Sequence, residues 1–126
     1  MNPHRAAIQA RLDEVGGPDL PERGRALLAR LLTNYAAKTP PAIDRLADAL
    51  TAGQTDDVRD QAHALKGSAT NVGVTALAAL FGELEDEARA GRLPASPETL
   101  DRARALLAEI TPLCLHMAAE ISPPTE

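Results

Sequence analysis

The stretch His63-Ala64-Leu65-Lys66-Gly67-Ser68-Ala69-Thr70-Asn71-Val72-Gly73-Val74 completes an apolar repeat that starts at Val58. At about 100° per residue, Val58, Ala62, Leu65, Ala69 and Val72 fall in one narrow stripe, the spacing of a helix laid against a core. His63 projects roughly 140° from the centre of that stripe, beside Gly67 and Thr70 and flanked by Arg59 and Lys66. This spacing turns the imidazole toward water or a partner. Gly67 is a residue the helix would not choose for itself, because an interior glycine costs about 1 kcal/mol relative to alanine. Placed one turn after His63, it gives another molecule clearance to reach the ring. Lys66, at i+3, is a mobile cation able to reach an anion held there. Periodicity alone also admits a plain surface histidine beside a tolerated glycine.

Working outward, Asn2-Pro3 can cap and open a first helix to about residue 15, with Ile8, Leu12 and Val15 on one side. Gly16-Gly17-Pro18 ends it. A longer helical run then starts at 19–21 and carries Leu27, Leu28, Leu31, Leu32 and Tyr35. Thr39-Pro40-Pro41 interrupts it, since proline lacks an amide hydrogen and pushes the preceding residue out of the α region. Either one kinked helix or two collinear ones fit, the second running from about 41 to 52. Gly53 is expected to close this element and Thr55 to cap the histidine helix, with Asp56 and Asp57 favourably placed in its first turn. Gly73 supplies the next turn and Thr75 the next cap, before a stripe of Leu77, Leu80, Phe81, Leu84 and Ala88 that Gly91 closes. Ser96-Pro97-Glu98 opens a last helix bearing Leu100, Ala103, Leu106, Leu107 and Ile110; Pro112 is expected to kink it.

These amphipathic segments with short connections predict an all-α fold, an up-down antiparallel four-helix bundle with an additional N-terminal helix. The 126 residues suit a single domain. Its expected parts are an N-terminal helix over about 1–18, a core over 19–111, a final helix to about 120 and a flexible tail over 121–126. A net charge of −5 with interspersed signs argues against nucleic-acid binding through a basic face. With no signal segment and no long apolar run, neither membrane insertion nor secretion is expected. The lone Cys114 fits a reducing cytoplasm and, between Leu113 and Leu115, reads as a small buried apolar group. His4, His63 and His116 lie on separate predicted helices without close-spaced ligand partners, so no metal site is expected. Nor does the chain carry a Gly-rich Lys-Ser/Thr nucleotide loop.

Residues 62–85, AHALKGSATNVGVTALAALFGELE, resemble the signature of histidine-containing phosphotransfer (HPt) domains, whose pattern is H-x-L-K-G-[SA]-[SA]-x-x-[LIV]-G, then hydrophobics and L-E. Every position from His63 through Gly73 agrees, and Leu77, Leu80, Leu84 and Glu85 continue the match. Phe81 stands where many members have cysteine or another apolar residue, and Tyr35 where phenylalanine is commoner. The resemblance covers about residues 20–90. It implies the four-helix bundle already read from periodicity and a phosphoryl carrier without its own kinase site or cofactor. His63 would be the phosphoacceptor, Lys66 would stabilise the phosphate and Gly67 would clear the approach. Receiver domains of response regulators and of a hybrid histidine kinase would be the partners, supplying Mg²⁺ themselves, and the chain would act as a cytoplasmic monomer.

Some family members, notably in chemotaxis kinases, have a glutamate matching Glu85 that hydrogen-bonds the histidine. His63 lies 10 residues before Gly73 and Glu85 lies 12 after it, so a tight hairpin puts them at similar height. Glu85 also sits in the acidic run 83–87, so a solvated side chain is the other reading. Arg59 and Lys66 form a basic spot near His63, although Arg59 also fits an ordinary charged helix face. Ser68 is expected to bond back to the Ala64 carbonyl, and Arg59, Asp60, Thr70 and Asn71 are the expected partner-selecting surface. Two other functions stay open: a non-transferring adaptor for a receiver or kinase, and the phosphoacceptor domain of a chemotaxis-type kinase.

Overall fold

The computed structural model describes residues 2–16, 20–92 and 98–122. Among them are five helices and no strand: α1 (Pro3–Val15), α2 (Glu22–Thr51), α3 (Thr55–Val72), α4 (Thr75–Arg89) and α5 (Glu98–Ile121). Helices α2 to α5 form the bundle, with α3 on α4, α2 on α5, and the α2–α3 and α4–α5 contacts closing the ring. Helix α1 lies against α3 and α4. Exposed ion pairs Arg104–Asp44 and Arg102–Glu83 bridge α5 to α2 and α4.

The apolar stripes meet in one core. Val58, Ala62, Leu65, Ala69 and Val72 of α3 are all buried, as are Leu77, Leu80, Phe81, Leu84 and Ala88 of α4. Leu100, Ala103, Leu107, Ile110, Cys114 and Met117 complete it from α5. Burial pushes the Cys114 thiol up to about 11, so it behaves as a small apolar group.

Of the two arrangements open at Pro40 and Pro41, the structure has one continuous α2. The prolines leave the Ala36 and Ala37 carbonyls without their usual amide donors. Buried residues on both sides, Tyr35, Ala36 and Thr39 before and Ile43 and Leu46 after, keep the helix on the core, and the Thr39 hydroxyl donates to the Tyr35 carbonyl at 2.6 Å. Helix α5 likewise continues through Pro112.

The expected caps need correction. Asn2 does cap α1, its side chain accepting from the His4 and Arg5 amides. Thr55 and Thr75, however, are the first residues of α3 and α4; the caps are Gln54 and Val74, neither making a side-chain capping bond. Their amides close the preceding helices, Gln54 N–H to the Ala49 carbonyl and Val74 N–H to the Ala69 carbonyl. One residue thus ends one helix and begins the next, leaving no room for a separate cap. The expected start signals at Asp19, Ser96 and Pro97, and the tail beyond Ser122, lie outside the described residues.

Gly73 adopts φ +90°, and a Cβ there would lie 2.6 Å from Arg11 Cβ and 2.9 Å from the Ala7 carbonyl oxygen. The α3–α4 turn therefore needs glycine both for its left-handed backbone and for the close seat of α1. Gly73→Ala is expected to lower stability by about 1–3 kcal/mol, measured by chemical denaturation.

Candidate functional site

The tight turn at Gly73 lays α4 back along α3, and the facing surfaces bring two sets of polar side chains together. From α4, Glu85 extends the apolar stripe by one position and is only 2% exposed. A carboxylate in such a place is costly unless its oxygens are matched by donors. They are matched by three side chains. His63 Nδ1 lies 2.8 Å from Glu85 Oε2 and Lys66 Nζ donates to Oε1 at 3.2 Å. Arg89, one turn further along α4, donates to Oε2 through Nη2 at 2.8 Å and Nε at 3.2 Å. The stem of Lys66 reaches this point over Gly82, where a Cβ would sit 3.4 Å from Lys66 Cδ.

The carboxylate only accepts, so in a neutral ring Nδ1 carries the proton and donates it to Glu85. Nε2, on the far side of the ring, keeps its lone pair. The His63 side chain is 65% exposed against 3% for that of Glu85, so the ring is anchored at one nitrogen and open at the other. Gly67 lies one turn away on the exposed side, and a Cβ there would meet nothing within 4 Å. Burial by itself pushes the Glu85 carboxyl up, but the bonds from Arg89, Lys66 and His63 outweigh it and hold the group down at about 2.

His63, Lys66, Gly67 and Glu85 thus occupy one patch of the α3–α4 surface. Arg89 was missed in the sequence, although Glu85 followed by a cation at i+4 is a favourable helix pair. Other expectations do not converge there. Arg59 is engaged with Asp60 at 3.2 Å and Asp56 at 3.6 Å, an ordinary charged helix face. Asn71 is held by Arg11, which donates to its backbone and side-chain oxygens. Ser68 bonds the Leu65 carbonyl at 3.1 Å, three residues back, instead of that of Ala64; its hydroxyl reaches the nearer carbonyl without leaving the helix surface. His4 and His116 lie 3.5 Å from Glu109 and Glu120, away from His63. Among the described residues no three His, Cys, Asp or Glu side chains form a metal-holding group.

The family model for the Hpt domain matches residues 30–112. This chain belongs to the Hpt domain family. Searches of curated proteins and of solved structures find no match. Hpt domains are histidine phosphocarriers that interact with receiver domains in phosphorelays. The matched span holds the whole His63–Glu85 cluster and leaves α1 outside it. No helix among the described residues of this Hpt domain is long and apolar enough to cross a membrane.

Because its folded value is depressed, Glu85 contributes stability that is fully present above its ordinary value of 4.5 and is lost as pH falls through about 2. The stability gap between wild type and Glu85→Gln is expected to be constant above about pH 5 and to shrink steadily toward pH 2. Thermal melts of both proteins across that range measure it.

Proposed function

We propose that this Hpt domain is a phosphorelay intermediary in which Nε2 of His63 accepts a phosphoryl group from a receiver's aspartyl phosphate and returns it to an aspartate on a second receiver. The 2.8 Å contact between His63 Nδ1 and Glu85 carries this reading, because it fixes the tautomer with the outward nitrogen unprotonated. The Nε2 lone pair attacks phosphorus, the N–P bond forms, and the bond from phosphorus to the aspartyl oxygen breaks to leave a free carboxylate. No proton moves, since Nδ1 keeps its hydrogen and donates it to Glu85 throughout. Transfer to the next aspartate is the same exchange in reverse.

Lys66 is half-exposed and flexible, so its ammonium can leave Glu85 Oε1 for a phosphoryl oxygen once negative charge arrives on the ring. Arg89 then remains on Glu85 and keeps that buried carboxylate matched. Gly67 leaves a gap through which the receiver brings its phosphoaspartate. The receiver, of a response regulator or of a hybrid kinase, contributes its own acidic pocket and Mg²⁺. The chain itself serves as a cytoplasmic, monomeric carrier without a kinase site or cofactor.

The test is phosphoryl transfer from a panel of phosphorylated receivers to the purified protein. Wild type is expected to take up acid-labile phosphate rapidly, and His63→Gln to keep its fold and take up none. Binding without labelling by any receiver would turn the assignment to a non-transferring adaptor. Gly67→Ala separates clearance from folding. It is expected to raise stability by about 0.5–1 kcal/mol while slowing transfer from receivers, whereas a merely tolerated glycine would give the first effect without the second.

A further inference from the structure

Helix α2 carries five cations and three carboxylates in a chain of net charge −5. None of these five cations has an ion-pair or side-chain hydrogen-bond partner among the described residues, unlike Arg59, Lys66 and Arg89 near the histidine, and two of them, Lys38 and Arg45, share one hollow. Both line a groove between α2 and α3, a cavity of about 350 Å³ with Leu31, Tyr35, Ala42 and Leu65 along its apolar part. A second hollow of about 230 Å³ shares Ala42, Arg45, Leu65 and Ser68 and continues to Gln61 and Ala64, the immediate neighbourhood of His63 on α3. One turn before Leu31 on the same stripe, Leu27 is 56% exposed. The groove therefore carries two unmatched cations on its α2 edge and extends along α3 to Gln61 and Ala64, sequence neighbours of His63.

Such a trough between two helices fits a third helix that presents an apolar ridge and acidic flanks. Lys38 and Arg45 are seven residues apart, two turns or about 10.5 Å along α2, so matching carboxylates on the partner helix would also lie two turns apart. We infer that Lys38 and Arg45 are specificity-determining residues, selecting receivers whose docking helix carries two such carboxylates beside an apolar ridge. This rests on the phosphoacceptor reading of His63. It moves partner choice from Arg59, whose side chain is already held within the chain, to the α2 edge of the groove.

The experiment compares wild type with the Lys38→Glu, Arg45→Glu double variant in two assays. One is transfer from phosphorylated receivers across a salt series, the other direct labelling of His63 by potassium phosphoramidate, which needs no docking. The variant is expected to lose roughly tenfold or more in transfer rate at low salt, with the gap narrowing as salt rises and phosphoramidate labelling unchanged. Exchanging the receiver's two carboxylates for lysines is expected to restore transfer to the variant. Equal receiver transfer by wild type and variant, or loss without rescue by the charge-exchanged receiver, would overturn the groove's role alone. Absence of His63 labelling in wild type by receivers and phosphoramidate alike would overturn the phosphoacceptor reading, and this inference with it.

Discussion

The carboxylate of Glu85 is the constraint on which the arrangement depends. A carboxylate covered to this extent, even just beneath the surface, is tolerated only while hydrogen bonds match it. Its donors come from both helices of the hairpin, His63 and Lys66 from α3 and Arg89 from α4 itself. Their convergence requires α3 and α4 in one register, and that register is set by the left-handed turn at Gly73. The contact that satisfies the buried charge also chooses which imidazole nitrogen holds the proton. On the proposed reading of His63, fold stability and preparation of the nucleophile are therefore one interaction seen from two sides.

The site stands on rigid elements. Ala62 and Leu65, the stripe residues that flank His63 in sequence, are buried in the core, so the backbone beneath the ring has little freedom. The ring itself protrudes, with one nitrogen tied down and the other in solvent. This asymmetry suits the role proposed for His63, meeting successive receivers without rebuilding itself, because orientation is set before encounter and no loop has to close. Helix α1 adds a buttress at the far end of the hairpin. Ile8 is buried there, and Arg11 holds the carbonyl of Asn71.

The four-helix fold was legible because leucine and alanine repeat at helical spacing and glycines mark the turns. The position of His63 outside its stripe was equally plain. What sequence left open depended on tertiary context. Glu85 reads as one more acid in the run 83–87, and only the packing of α3 over α4 shows it buried while its neighbours Asp86 and Glu83 stay exposed. Arg89 escaped notice because its role follows from that burial. The continuity of α2 across Pro40 and Pro41 was undecidable from local rules, which weigh the lost amide donors but not the core contacts on either side. Thr55 and Thr75 misled for a related reason: as good capping residues they suggested caps, but turns this short give that position to Gln54 and Val74. Lys38 and Arg45, unpaired among the described residues, could be distinguished from Arg59 only once ion pairs were visible.

The most direct measurement of the central claim is nitrogen-15 and phosphorus NMR of His63 before and after phosphorylation. The expected result is a neutral ring protonated at Nδ1 and hydrogen-bonded to Glu85, with phosphorus attached to Nε2 in the phosphorylated protein. Phosphorus on Nδ1, or a neutral ring protonated at Nε2, would contradict it.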